Sequence, residues 1–175
     1  MSEKACLPLD EAAPFHGAVL SADGKYRYRL WRTIGPGPMG TVVFVMLNPS
    51  TSDASADDPT ICKCRGYARS WGFQRLEVVN LFAWRATNPK ELPEVDDPIG
   101  PENDRAILGR CTGAEWVIAA WGSDKFATAR ARDVTRMLTG AGIYLRCLRR
   151  SKDGNPWHPL YVPYGMPITY AEVGR

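Results

Sequence analysis

Histidine is scarce in this chain of 175 residues, which has only His16 and His158, and long apolar runs are missing. No stretch approaches the roughly 20 apolar residues of a membrane-spanning helix, so no membrane association is expected. Cysteine is sparse and odd in number, with Cys6, Cys62, Cys64, Cys111 and Cys147 scattered along the chain. No signal peptide is read before them, so a disulfide framework is not expected and a cytoplasmic setting is. Cys62 and Cys64 lack Cys-x-x-Cys spacing and the other cysteines are remote, so neither zinc nor an iron–sulfur cluster is expected, nor any other cofactor. Neither sign of charge dominates, since 22 Lys and Arg against 19 Asp and Glu leave a net charge of +3. That mild basicity suits a polyanionic partner without establishing one. Repeats and low-complexity tracts are absent from the sequence.

What the chain does have is 45% hydrophobic residues, enough for one full core. One domain over 1–175 is expected, as a monomer, with an N-terminal extension over 1–24 and a core over 25–165. Tyr26-Arg27-Tyr28-Arg29-Leu30-Trp31 alternates large and charged residues, as a strand with one exposed face would. Thr41–Leu47 is a continuous β-branched run, the pattern of a strand covered on both faces, and a hairpin is expected between these two. Asp58-Pro59 predicts an N-cap and first helical residue, with the helix running to Trp71 and stopped by Gly72. Strands follow at 76–82, 116–120 and 143–148, separated by helices over about 102–111 and 124–138. The fold class predicted is α/β, a three-layer α/β/α sandwich around about four mostly parallel strands plus one N-terminal antiparallel strand.

Two polar signatures stand just after apolar runs, Leu47-Asn48-Pro49-Ser50 and His158-Pro159-Leu160-Tyr161. Ligands of open α/β sheets bind outside the strand ends, so these loops are expected to converge on one site. Together with Asp57-Asp58-Pro59-Thr60, Val79-Asn80-Leu81-Phe82, Gly100-Pro101-Glu102-Asn103 and Ala120-Trp121-Gly122, they resemble the bacterial family labelled domain of unknown function 1643 over Tyr26–Pro163. That likeness assigns no activity. More distantly, Asn48-Pro49, the strand ending at Asn80, the strand closing in Trp121-Gly122, and His158-Pro159 resemble, in that order, the motifs of the uracil-DNA glycosylase superfamily.

The glycosylase resemblance implies hydrolysis of an N-glycosidic bond in DNA, with the nucleotide flipped into a pocket. Asn48 would position a water, because an amide orients water but cannot take its proton; the plain alternative is a turn, which Asn and Pro favour. His158 would donate to a carbonyl oxygen of the departing base; alternatively local backbone groups satisfy it. Asn80 offers a donor and an acceptor to a pyrimidine edge, or simply caps a strand end. Phe82, Trp84, Tyr67 and Trp157 are candidates for stacking, although core packing competes in each case. Asp57 and Asp58 could supply the general base that Asn48 cannot be, with Asp58 also wanted as helix cap. Ser50, Arg85, Lys152 and Gly154 are candidate phosphate contacts, with Arg149 and Arg150 nearby, while Arg130, Arg132 and Arg136 read as solvated helix residues. Leu47, Ser50 and Leu160-Tyr161 depart from the glycosylase motifs, so a modified pyrimidine, such as bacteriophages use to protect their DNA, is a candidate base beside uracil. Repair or phage defence would be the setting. A non-catalytic nucleic-acid-binding module and a nucleoside or nucleotide N-glycosidase remain as alternatives.

Overall fold

A computed structural model describes residues 2–3, 15–51 and 57–170. In chain order the elements are β1 (Ser2–Glu3), β2 (His16–Leu20), β3 (Arg27–Thr33), β4 (Met39–Met46), α1 (Pro59–Ser70), β5 (Phe73–Asn80), α2 (Asn103–Cys111), β6 (Trp116–Ala119), α3 (Thr128–Gly140), β7 (Leu145–Cys147) and β8 (Thr169–Tyr170), with short 3₁₀ turns at Pro89–Glu94 and Pro159–Tyr161. All strands join one mixed sheet in the order β1-β2-β3-β5-β4-β6-β7-β8. The inner four, β5, β4, β6 and β7, are parallel, as expected.

The continuous apolar run makes β4 the centre, with side chains buried alternately toward each face. Val42, Phe44 and Met46 meet Ile61, Cys64, Tyr67 and Ala68 of α1. Val43 and Val45 meet Ile107 of α2 and Ala131, Val134 and Leu138 of α3. Helices therefore lie on both faces, and an all-apolar strand is what such double cover requires. Asp58 does cap α1, its Oδ1 accepting from Ile61 N at 2.9 Å, and Pro59 opens the helix. Gly72, at φ +79°, takes the left-handed turn that ends it.

Four expectations need correction. The predicted hairpin of β3 with β4 does not form, because β5 is inserted between them, antiparallel to β3 and parallel to β4. The hairpin partner of β3 is instead β2, which lies inside the stretch taken as an extension over 1–24. Antiparallel strands thus flank the parallel four on both sides, rather than one at the front. Finally, β3 exposes no charged face: Arg27, Arg29 and Arg32 are all buried.

Each of the latter two arginines has acquired an anion. Arg29 clamps Glu77 of β5 through Nε and Nη2 at 3.1 and 3.0 Å, and Arg75 reaches the same carboxylate at 2.9 Å. The Arg29 guanidinium also lies 4.4 Å over the Trp31 ring. Gly17 of β2 permits this stack, since a Cβ there would come within 2.3 Å of Trp31. Removing one member of a buried ion pair leaves the other charge desolvated and alone. Glu77→Ala is therefore expected to cost about 3–5 kcal/mol in urea unfolding. Asp133→Ala, which breaks an exposed pair with Arg136, should cost less than about 1 kcal/mol.

Candidate functional site

The register places the ends of the parallel strands at one level, with Met46 beside Asn80, Val45 beside Ala119, and Ala119 beside Cys147. From β4 the chain steps outward to β5 on one side and returns to β6 on the other. Such a reversal leaves a crevice at the carboxyl ends of the strands. Here a cavity of about 480 Å³ fills it. Leu47, Asn48 and Ser50 line it from the loop after β4, Asn80 from the end of β5, Trp121 and Asp124 from beyond β6, and His158 and Tyr161 from beyond β7. The two polar signatures do converge, with Asn80 between them.

Backbone groups engage the side chains of Asn48 and His158, while Asn80 is held through its main chain. Asn48 Nδ2 donates to the carbonyls of Pro49 and Ala86 at 3.1 and 2.9 Å, which leaves its Oδ1 as the acceptor available to a water. Asn80 is 2% exposed, and its side-chain amide has no hydrogen bond to a described residue. Its main chain is anchored from behind, because Asn103 Nδ2 of α2 donates to the carbonyls of Asn80 and Leu81, both at 3.0 Å. Arg130 Nε of α3 adds a bond to Leu81 O at 2.9 Å, and Arg130 also pairs with Asp104. Arg130 is thus a buried anchor, not the solvated residue expected, while Arg132 and Arg136 are exposed.

His158 Nδ1 accepts from Leu160 N at 3.4 Å, a long bond that favours the tautomer with the proton on Nε2. Burial pushes its pKa below the usual 6.5, and the nearby Asp58 carboxylate only partly offsets this. At neutral pH the ring is a neutral donor.

The other expected site residues lie elsewhere. Both oxygens of Asp57 are taken by guanidinium groups, Arg32 Nε at 2.7 Å and Arg65 Nη1 at 2.6 Å. Burial alone would raise this carboxyl, but the bonds from Arg65 and Arg32 outweigh it and hold the pKa below 3.8. A carboxylate so stabilised is a poor proton acceptor. Asp58 has one oxygen on Ile61 N and receives Ser50 Oγ at 3.2 Å on the other. Phe82 is buried against Phe126, and Trp84 packs edge-on to Tyr26, so neither faces the cavity. Tyr67 is a core residue whose hydroxyl donates to Val162 O at 2.6 Å. Trp157 lies under the Arg149 guanidinium, 4.5 Å away. Arg85 is occupied by the carbonyls of Gly24 and Thr51, both at 2.9 Å. Lys152, Gly154 and Arg150 belong to a tight turn closed by Ser151 N on Asn155 O at 2.8 Å, away from the cavity lining. Among the described residues no three His, Cys, Asp or Glu side chains gather as a metal site, and no helix is long and apolar enough to cross a membrane.

Two residues of consequence were given no role in the sequence reading. Asn103 ends the quoted Gly100-Pro101-Glu102-Asn103 motif, which was the available signal. Arg27 lines the cavity although its alternation with Arg29 assigned it to an outer face. A bulge explains the difference: Val19 pairs with Arg29 but the next residue, Leu20, pairs with Arg27, so Tyr28 is the extra residue. Tyr28 joins Ala83 and Ala106 on the α2 side, whereas Leu30 joins the α1 side. Bulges re-aim side chains in this way.

Since His158 has a depressed pKa, its proton should come on only below pH 6.5 in an NMR titration of the imidazole. Protonation then costs stability as pH falls through that range, and His158→Gln should flatten the loss. A midpoint at or above 6.5 would contradict the burial described here. Asp57 acts lower: its contribution is complete above 3.8 and lost as pH falls through its folded value, so Asp57→Asn should remove part of the acid limb of a stability profile.

A family model described as "Protein of unknown function (DUF1643)" matches residues 27–160. No curated protein matches the chain, and no solved structure does.

Proposed function

This chain belongs to the DUF1643 family, and we propose that it is a DNA glycosylase-like enzyme that hydrolyses the N-glycosidic bond of a pyrimidine base in DNA. The observation that carries this reading is the meeting of Asn48, Asn80 and His158 around one cavity at the strand ends. Helices on both faces of a central parallel sheet agree with the glycosylase superfamily resembled at the motifs, and they support a common architecture.

The chemistry follows from which atoms are unengaged. Asn48 Oδ1 orients a water toward C1′ of the sugar. As the C1′–N bond breaks, its electron pair leaves with the base, and the water oxygen bonds to C1′ while its proton passes to the base or to solvent. His158 Nε2 donates to a base carbonyl and stabilises the charge that develops there. Asn80 presents its unpaired amide to the base edge. Neither Asp57 nor Asp58 serves as the base, because Asp57 is ion-paired and Asp58 is a cap, and Asp124, the carboxylate in the lining, has one oxygen held by Phe126 N. Catalysis then rests on leaving-group stabilisation.

The base is a uracil or a modified pyrimidine. Leu47, Ser50 and Tyr161, which depart from the glycosylase motifs, all line the cavity, and the Tyr161 ring lies 5.8 Å from that of His158, tilted by 53° to it. A pocket with those walls differs in shape from one with glycine and proline there. One observation favours a free nucleotide over DNA as the substrate: Arg85 is occupied by carbonyls and Lys152 and Gly154 lie off the cavity, so of the expected phosphate contacts only Ser50 borders it.

Oligonucleotides bearing uracil, mismatched thymine or glucosylated hydroxymethylcytosine, treated with alkali after incubation, test the reading. Strand cleavage is expected with at least one of them, and Asn48→Ala or His158→Ala should lower its rate about 10²–10³-fold. Cleavage unchanged in both variants would refute the site assignment. Binding without cleavage would indicate a non-catalytic module. Affinity for DNA that falls steeply with salt supports a strand substrate, and a flat response supports a nucleotide.

A further inference from the structure

Of the buried arginines in this fold, three have visible reasons to be there. Arg29 holds Glu77, Arg32 holds Asp57, and Arg130 holds Asp104 and Leu81 O. Arg27 has none. It is 5% exposed, its Nε is buried without a partner, and its guanidinium has no hydrogen bond to a described residue. The bulge at Tyr28 nevertheless aims it into the cavity, where it lies in the lining with Asn80 and His158. A desolvated cation with five N–H donors and no acceptor is costly unless something supplies one.

We propose that Arg27 is an oxyanion anchor, which makes this cavity selective for ligands carrying a carboxylate or a phosphate. The guanidinium fork matches either group in a two-bond geometry. The protein does not fill the role itself. Asp58 acts on Arg27 only as a nearby charge, since its oxygens are engaged by Ile61 N and Ser50 Oγ. Arg85 and Arg32 are near enough to add positive potential at Arg27. Burial draws the Arg27 pKa down to about 10, which still leaves it charged at neutral pH. Asn80, equally buried and unengaged, stands beside it as a neutral reader. The ligand so described is a pyrimidine whose ring or sugar bears an oxyanion directed at β3. This rests on the glycosylase reading for the pyrimidine, while the anion preference is independent of hydrolysis.

Matched pairs separate the two sources of the charge. Calorimetric titration would compare orotate with uracil, where the carboxylate is on the ring, and uridine monophosphate with uridine, where the phosphate is on the sugar. The charged member of at least one pair should bind about tenfold or more tightly than its neutral partner, as a charge-assisted bond allows. Arg27→Gln should abolish that gap while leaving the neutral ligand's affinity unchanged. In the wild-type protein, which needs no variant to fold, the Arg27 Nε–H NMR resonance should shift with the preferred anion and not with its neutral partner. Equal affinity within both pairs, a gap that survives Arg27→Gln, or an unmoved resonance would overturn the proposal. Anion preference without base release removes the glycosylase and keeps the anchor; base release without anion preference does the reverse.

Discussion

Buried backbone must be paired, and at the mouth of a parallel sheet that requirement is hardest to meet, because strands end there with donors and acceptors still unmatched. The chain solves this at the ends of β4 and β5 by stitching the two departing loops together. Leu81 N donates to Met46 O at 2.9 Å, Phe82 N to Leu47 O at 3.0 Å, and Ala86 N to Pro49 O at 3.0 Å. Asn48 adds its side chain to the seam through Ala86 O. Asn103 and Arg130 take the outward carbonyls of Asn80 and Leu81. The loops after β4 and β5 are thereby tied to each other by backbone hydrogen bonds, as the strands before them are. The unengaged faces of Asn48 and Asn80 are what remains after every backbone obligation around them has been met.

This division also explains the charges. Two carboxylates near the cavity are committed to structure: Asp57 to Arg32 and Arg65, Asp58 to the start of α1 and to Ser50. What lines the cavity is a neutral histidine, two amides, one cation, several hydroxyls and a single carboxylate, Asp124, with one oxygen held by Phe126 N. Most of these groups donate and orient, which suits a reaction in which the leaving group acquires charge.

The parts legible in sequence were those governed by local rules. The β-branched run of β4, the Asp58-Pro59 helix start and the polar residues closing β4 and β5 each follow from neighbours a few positions away. The parts that were not legible depend on distant segments. The insertion of β5 between β3 and β4 is a topological fact that no short window contains. The arginines of β3 looked solvent-facing because their alternation was read without Glu77, Asp57 or β2, which bury them. Phe82 and Trp84 looked like a stacking platform because aromatics near a site and aromatics in a core are the same letters. Asn48, Ser50, Asn80 and His158 do share the cavity, because strand ends are where side chains are freed from packing.

The bulge at Tyr28 bears on how such a pocket can diversify. Along a regular strand, changing what a residue faces requires changing the residue. Here a single extra residue sets the phase of β3 relative to β2, so that Arg27 faces the cavity while Arg29 keeps its place over Trp31. Were this same sequence to run as a regular strand here, Tyr28 would share the face of Leu30 and Arg27 would turn toward the α2 side, with the ladder from Leu30 to Thr33 unchanged. The charge on this wall of the cavity is therefore set by the spacing of the strand as much as by residue type.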